Sequence, residues 1–161
     1  MSPSYVLLLV FLIGFFNGLR SLTPPAVTAW GAHIGWLKLQ RSLAWIGATP
    51  AAVIFTLLAL VELVADKLPT TPSRTAPPGL IARILLGALT GACVAMAGAE
   101  GVVLGAAIGI GGALVGTFGG YQARTRLVRA LRTPDFVVAV LEDFVTIGGS
   151  LWVVSLIRFS R

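Results

Sequence analysis

Charge is what this chain has least of. Of its 161 residues, 12 are Lys or Arg and 6 are Asp or Glu, 11% in all, where an ordinary soluble domain carries about 25%. So few charges cannot clothe a water-facing globule, which excludes a soluble enzyme, a disordered tail and a nucleic-acid module. The net charge of +6 fits cytoplasmic loops of a membrane protein better than a nucleic-acid surface. One cysteine, Cys93, excludes an internal disulfide and any CxxC redox or zinc motif; one histidine, His33, excludes a His-rich metal site. There is no nucleotide-binding glycine loop followed by Gly-Lys-Ser/Thr, no H-E-x-x-H and no G-x-S-x-G. We expect no cofactor and no enzyme activity.

What is present is apolar length. Hydrophobic residues make up 57% of the chain, and the mean hydropathy is +0.93. A spanning helix needs about 20 mainly apolar residues. Five stretches come close: 5–19, slightly short and followed at once by Arg20; 43–64, with Pro50 near its start; 80–99; 102–121, running on as a cationic stretch to Arg132; and 135–157. A signal peptide is the competing reading of the first, but residues 1–4 hold no Lys or Arg and no A-x-A-like site follows. Residues 20–41 are irregular. Pro24-Pro25 lacks two backbone donors, and the following 26–37, about 12 residues, is too short to cross. It should lie at the interface or re-enter as a half helix, with Trp30, His33 and Trp36 at headgroup level. Residues 66–79, with four prolines, should be an exposed loop. The expected fold is therefore all-α: one membrane domain of about five transmembrane helices with a broken or re-entrant segment near 20–41.

Orientation follows the Lys and Arg counts of short loops. Arg124, Arg126, Arg129 and Arg132 follow the fourth stretch, and Lys67 and Arg74, with Arg83 nearby, follow the second. Glu100 stands alone between the third and fourth. The first two loops read as cytoplasmic and Glu100 as outside. Arg20, Lys38 and Arg41 then fall on the wrong side unless 20–41 dips back into the membrane. An inverted repeat is also conceivable: Phe16-Asn17-Gly18 leads to Arg20 and Phe118-Gly119-Gly120 to Arg124, and each half has a Thr-Pro opening a helix that bears Glu62 or Glu142.

Intramembrane acids normally face a partner or a water-filled cavity. Glu142 and Asp143 lie some seven or eight residues inside the last stretch and point about 100° apart, so they need different partners. Glu62 and Asp66 are four apart and share a face. A proton or cation site built from these carboxylates is one reading. The other is structural pairing of Glu142 or Asp143 with Arg20 or Arg124, with Asp66 a solvated helix end and Arg20 snorkelling to headgroups. Asn17 and Arg20 would line a pathway in the first reading. The row Gly105, Gly109, Gly112, Gly116 and Gly120 marks tight helix packing, against 80–99 within the chain or against a second copy, so a homodimer is expected. Arg124, Arg126, Arg129 and Arg132 suit anionic lipid headgroups or phosphate-bearing substrates, or are ordinary positive-inside charge.

Several stretches then look familiar: 18–30 (GLRSLTPPAVTAW), 62–69 (ELVADKLP), 74–78 (RTAPP), 116–121 (GTFGGY) with Arg124, and 141–143 (LED). Together they resemble a family of small bacterial membrane proteins known only as domain of unknown function 4126. The resemblance implies an inner-membrane protein and carries no residue roles. Glu62 to Lys67 is also similar in its ingredients to the Glu-x-Gly-Asp-Lys/Arg-Ser/Thr motif of cation exchangers, but its spacing is one residue too long and its glycine is alanine; that hints at chemistry rather than kinship. Two functions follow as expectations: a transporter or channel for protons, cations or a small solute, or a non-transporting scaffold or lipid-binding subunit.

Overall fold

The computed structural model describes residues 2–66 and 76–158. Lys67, Pro69, Pro72 and Arg74 of the loop read at 66–79 lie outside the described residues; its last residues, from Pro77, already belong to a helix. Among the described residues every regular element is helical: α1 (Pro3–Leu19), α2 (Thr23–His33), a 3₁₀ turn (Arg41–Gly47), α3 (Thr49–Ala65), α4 (Pro77–Ala97), α5 (Val102–Leu131) and α6 (Asp135–Arg158).

Proline sets four of the starts. α1, α2, α3 and α4 each carry proline in the first turn, where the missing N–H would have had no helical acceptor in any case. Pro24-Pro25 therefore opens α2, and the half helix begins at Thr23 rather than at residue 26. It ends at His33. Gly35 takes φ +79°, and the Trp36 and Leu37 amides return to the Gly31 carbonyl, a left-handed termination that glycine adopts without strain. Pro50 also corrects the single helix expected over 43–64. It cannot pass a hydrogen bond back to the preceding turn, and the 3₁₀ turn meets α3 at a 62° bend.

Among the described residues three helices (α4, α5 and α6) are long and apolar enough to cross a membrane, or four spans if the bent pair counts as one; α1, at 17 residues, is an apolar helix shorter than that. The outward faces are apolar: Leu57, Val61 and Val64 of α3, Val103 and Val115 of α5, and Phe144 and Trp152 of α6 are all exposed. Such helices suggest a membrane protein.

Contacts give the directions. Gly112 lies on Phe11 and Gly116 on Phe15, so α1 and α5 run parallel; Gly87 lies on Ala113 and Gly91 on Gly105, so α4 opposes α5. An inverted repeat relating residues 16–20 to 118–124 needs those helices opposed, and they are not. Arg20 meets Asp143 while Gly31 meets Val154, so α2 runs parallel to α6 and back along α1. The chain descends α1, turns at residues 20–22, climbs α2 and descends α3.

The glycine row is consumed inside the chain. A Cβ on Gly109 would overlap the Gly87 carbonyl of α4, and one on Gly14 of α1 would overlap the Gly109 carbonyl; Gly112 and Gly116 abut the Phe11 and Phe15 carbonyls, and Gly105 abuts Ala95. Gly120 is buried too. The partners of this face are α1 and α4 of the same chain.

Candidate functional site

The turn between α1 and α2 leaves two sets of backbone groups without helical partners: the last carbonyls of α1 and the first amides of α2. Each set meets a charge of the sign its helix dipole favours. At the α1 end, Arg83 of α4 donates from Nε to the Gly18 carbonyl at 3.2 Å and from Nη1 to Gly79 at 3.1 Å. At the α2 start, Glu62 of α3 accepts from Ser21 N at 2.8 Å and the Ser21 hydroxyl on Oε1, and from Leu22 N at 2.9 Å on Oε2. Glu62 is the anionic cap of α2.

Arg20 occupies the turn itself and is fully buried. Its Nη1 pairs with Asp66 at the end of α3, and its Nη2 lies 2.6 Å from Asp143 Oδ1 on α6. The two aspartate side chains are 20% and 11% exposed. Asp143 sits eight residues into α6, about 12 Å along its axis. Snorkelling, the expected alternative for Arg20, is thus replaced by a buried pair, and Asp66 is a partner rather than a solvated helix end.

The roughly 100° between adjacent helical residues separates the two acids as expected. Asp143 faces Arg20, while Glu142 lies 3.5 Å from Arg124 Nη1. Arg124 also grips Asp135 with two bonds, Nε to Oδ1 at 2.8 Å and Nη2 to Oδ2 at 2.5 Å. It therefore ties α5 to α6. Arg126, Arg129 and Arg132 remain exposed along the end of α5. Asn17 is fully buried; its Nδ2 donates to the Ile13 carbonyl at 3.0 Å and to Thr90 Oγ1 at 2.7 Å. His33 is exposed, 3.0 Å from the Gly47 carbonyl and edge-on to Trp30. Among the described residues no three His, Cys, Asp or Glu side chains gather as a metal site.

Sequence reasoning brought Arg20, Glu62, Asp66 and Asp143 forward, and the fold brings all four to one turn. It gave no role to Arg83, placed in the 80–99 stretch and counted only as a charge near the loop, nor to Ser21 and Thr90; Arg83 is buried within α4. It missed the buried face Asp143, Thr146 and Ser150 of α6 as well. The signal was there in the spacing: steps of three and four put these polar residues on one side of an apolar helix.

A family model described as "Domain of unknown function (DUF4126)" matches residues 7–156. The chain belongs to that family. No curated protein and no solved structure matches it significantly. In this DUF4126 chain the match spans the whole turn and every group around it, so the Arg20 cluster lies within the family's domain.

Proposed function

We propose that this DUF4126 protein is a small membrane transporter or channel for a proton, a cation or a small solute, working through Arg20, Asp66 and Asp143. One observation carries the reading: a fully buried arginine held by carboxylates from two different helices at the turn of the α1–α2 hairpin. Ionisable groups inside a bundle are costly and mark pathways more often than scaffolding. Broken helices supply transporter sites with partnerless backbone and dipole ends. Replacing a buried ion pair by apolar residues is often neutral or stabilising, so packing alone gives little reason to keep three charges here.

The hairpin moves one of the three misplaced cations, Arg20, while Lys38 and Arg41 lie beyond the far end of α2. With α2 climbing back, the ends of α1, α3 and α5 share one side, so Arg20 joins Arg124, Arg126, Arg129 and Arg132 at a cytoplasmic face. There the three exposed arginines meet anionic headgroups.

The scaffold reading draws its support from elsewhere. Glu62 is a satisfied cap, and Glu142, Arg124 and Asp135 form an interhelical clasp. The two readings part on Asp143. In liposomes, Asp143→Asn is expected to lower flux at least tenfold, while Glu142→Gln, in the clasp, keeps most of it. Absence of proton, cation and solute flux from wild-type vesicles would leave the scaffold.

A further inference from the structure

Two contacts fix how α2 lies on α6. Arg20 Nη2 is 2.6 Å from Asp143 Oδ1, and eleven residues further along both elements Gly31 abuts the Val154 side chain. One helical turn back toward Arg20 from that contact stand Thr28 on α2 and Ser150 on α6. They are 1% and 0% exposed, and neither hydroxyl has a hydrogen-bond partner among the described residues. Five residues lower and about 140° around α2, Thr23 is 4% exposed and its Oγ1 is equally unpartnered, while on α6 Thr146 gives its hydroxyl to the Glu142 carbonyl. Arg20 Nε, fully buried, has no hydrogen-bond partner either. Orphaned buried polar atoms are rare, and ordered water is their usual explanation. Here they lie on the two elements packed together, Thr28 and Ser150 three and four residues back from the Gly31–Val154 contact and Asp143 seven residues below Ser150 on α6.

We propose that these hydroxyls, with water between them, form a proton wire along the α2–α6 seam, ending at Asp143, and that the species moved is the proton. This rests on the transporter reading and names its cargo. A hydroxyl both donates and accepts, which is what relay requires: at each hop one O–H bond breaks and the next forms. At Asp143 the arriving proton converts the carboxylate to the acid and leaves Arg20 paired with Asp66. Its departure on the other side restores the carboxylate and the second pair. Nothing is oxidised or reduced. Val154 against Gly31 lies at the far end of the seam.

The alternative cargo, a metal cation, is opposed by the same geometry. Arg20 already places a positive charge between the two aspartates, and hard cations need six or more oxygen ligands. No three His, Cys, Asp or Glu residues gather among the described residues. The charges nearest Asp143 are Arg20 from the turn, Asp66 of α3 on the same guanidinium, Arg124 from α5 and Glu142 beside it on α6; on α4, Arg83 is turned to the Gly18 carbonyl.

The test uses the full chain in liposomes carrying a pH-sensitive dye, with imposed proton, sodium or magnesium gradients. Wild type is expected to pass protons and neither metal. Thr28→Val with Ser150→Ala removes two unpartnered hydroxyls at nearly constant shape, so the melting temperature holds while proton flux falls at least tenfold. Ser150→Thr, which keeps a hydroxyl, retains flux; Ser150→Ala alone gives the same readout should the double variant fold poorly. Flux that survives loss of both hydroxyls yet vanishes in Asp143→Asn would overturn the wire and leave the transporter. Sodium or magnesium flux without proton flux would overturn the cargo. No flux of any kind would bring down the transporter reading itself.

Discussion

Two regions of this molecule hold together by opposite means. Where α1, α4 and α5 meet, backbones approach with nothing between them, and Gly14, Gly87, Gly91 and Gly109 are the contact. Where α2, α3 and α6 meet the α1 turn, side chains reach across: Arg20 to Asp66 and Asp143, Glu62 to Ser21 and Leu22, and Trp30 Nε1 to Thr56 Oγ1 at 2.9 Å. In hydrocarbon the hydrophobic drive between helices is gone, which leaves close van der Waals packing and polar bonds as the two available glues. The first tolerates no added atom. The second tolerates no unbalanced charge. A region built for shape suits a fixed frame, whereas a region built on titratable pairs can change its bonding when a proton or a partner arrives.

Breaking the frame should give the largest effect. A side chain on Gly109 points straight at the Gly87 carbonyl and Gly91 Cα of α4, so Gly109→Val forces its methyl groups into that backbone. Overpacking commonly costs about 1–3 kcal/mol where side chains can yield, and here the obstacles are main-chain carbonyls. We expect no monodisperse protein by size-exclusion chromatography in detergent. Gly111→Ala, on the same helix with nothing within 4 Å, should leave the elution profile and melting temperature intact. Equal behaviour of the two variants would show that the frame is not packed on its glycines.

The polar region should respond less, and through charge. Arg20→Met leaves Asp66 and Asp143 facing each other without their cation; losing one member of a buried pair typically costs about 3–5 kcal/mol. Adding Asp66→Leu and Asp143→Leu removes the stranded charges as well, and the triple variant should regain most of the lost stability in a thermal melt. It should not regain transport. Recovery of flux along with stability would separate function from the Arg20 cluster.

The same contrast explains what could be read in advance. The glycine row, the prolines and the four acids are local patterns, and each survives in the structure: glycines at the close approach, prolines at helix starts, Glu62 and Asp66 together on one face of α3. What stayed hidden was direction. A helix of 11 residues such as α2 carries no length signal for crossing or returning, so its climb beside α6, and with it the pairing of Arg20 with Asp143 rather than Glu142, comes only from tertiary contact. The role of Arg83 stayed hidden for a related reason. A cation near the start of an apolar stretch has no evident partner in sequence until a helix end elsewhere, at Gly18, is seen to need it.

Capping should show the smallest effect, and it distinguishes hydrogen bonding from charge within the polar region. Glu62 takes two donors on Oε1 and one on Oε2. Glu62→Gln keeps one carbonyl oxygen, enough for the Ser21 amide and hydroxyl, but turns an NH₂ toward the Leu22 amide, which then loses its acceptor. One stranded buried donor costs about 1–3 kcal/mol, and loss of the negative charge at the α2 start adds about 0.3–1 kcal/mol. The melting temperature should fall by a few degrees, with faster hydrogen exchange confined to the Leu22 amide and the first turn of α2. If exchange rises instead across α3, the carboxylate serves to hold α3 in place rather than to start α2. In that case the polar contacts of α3, not the cap, keep the α1–α2 hairpin closed.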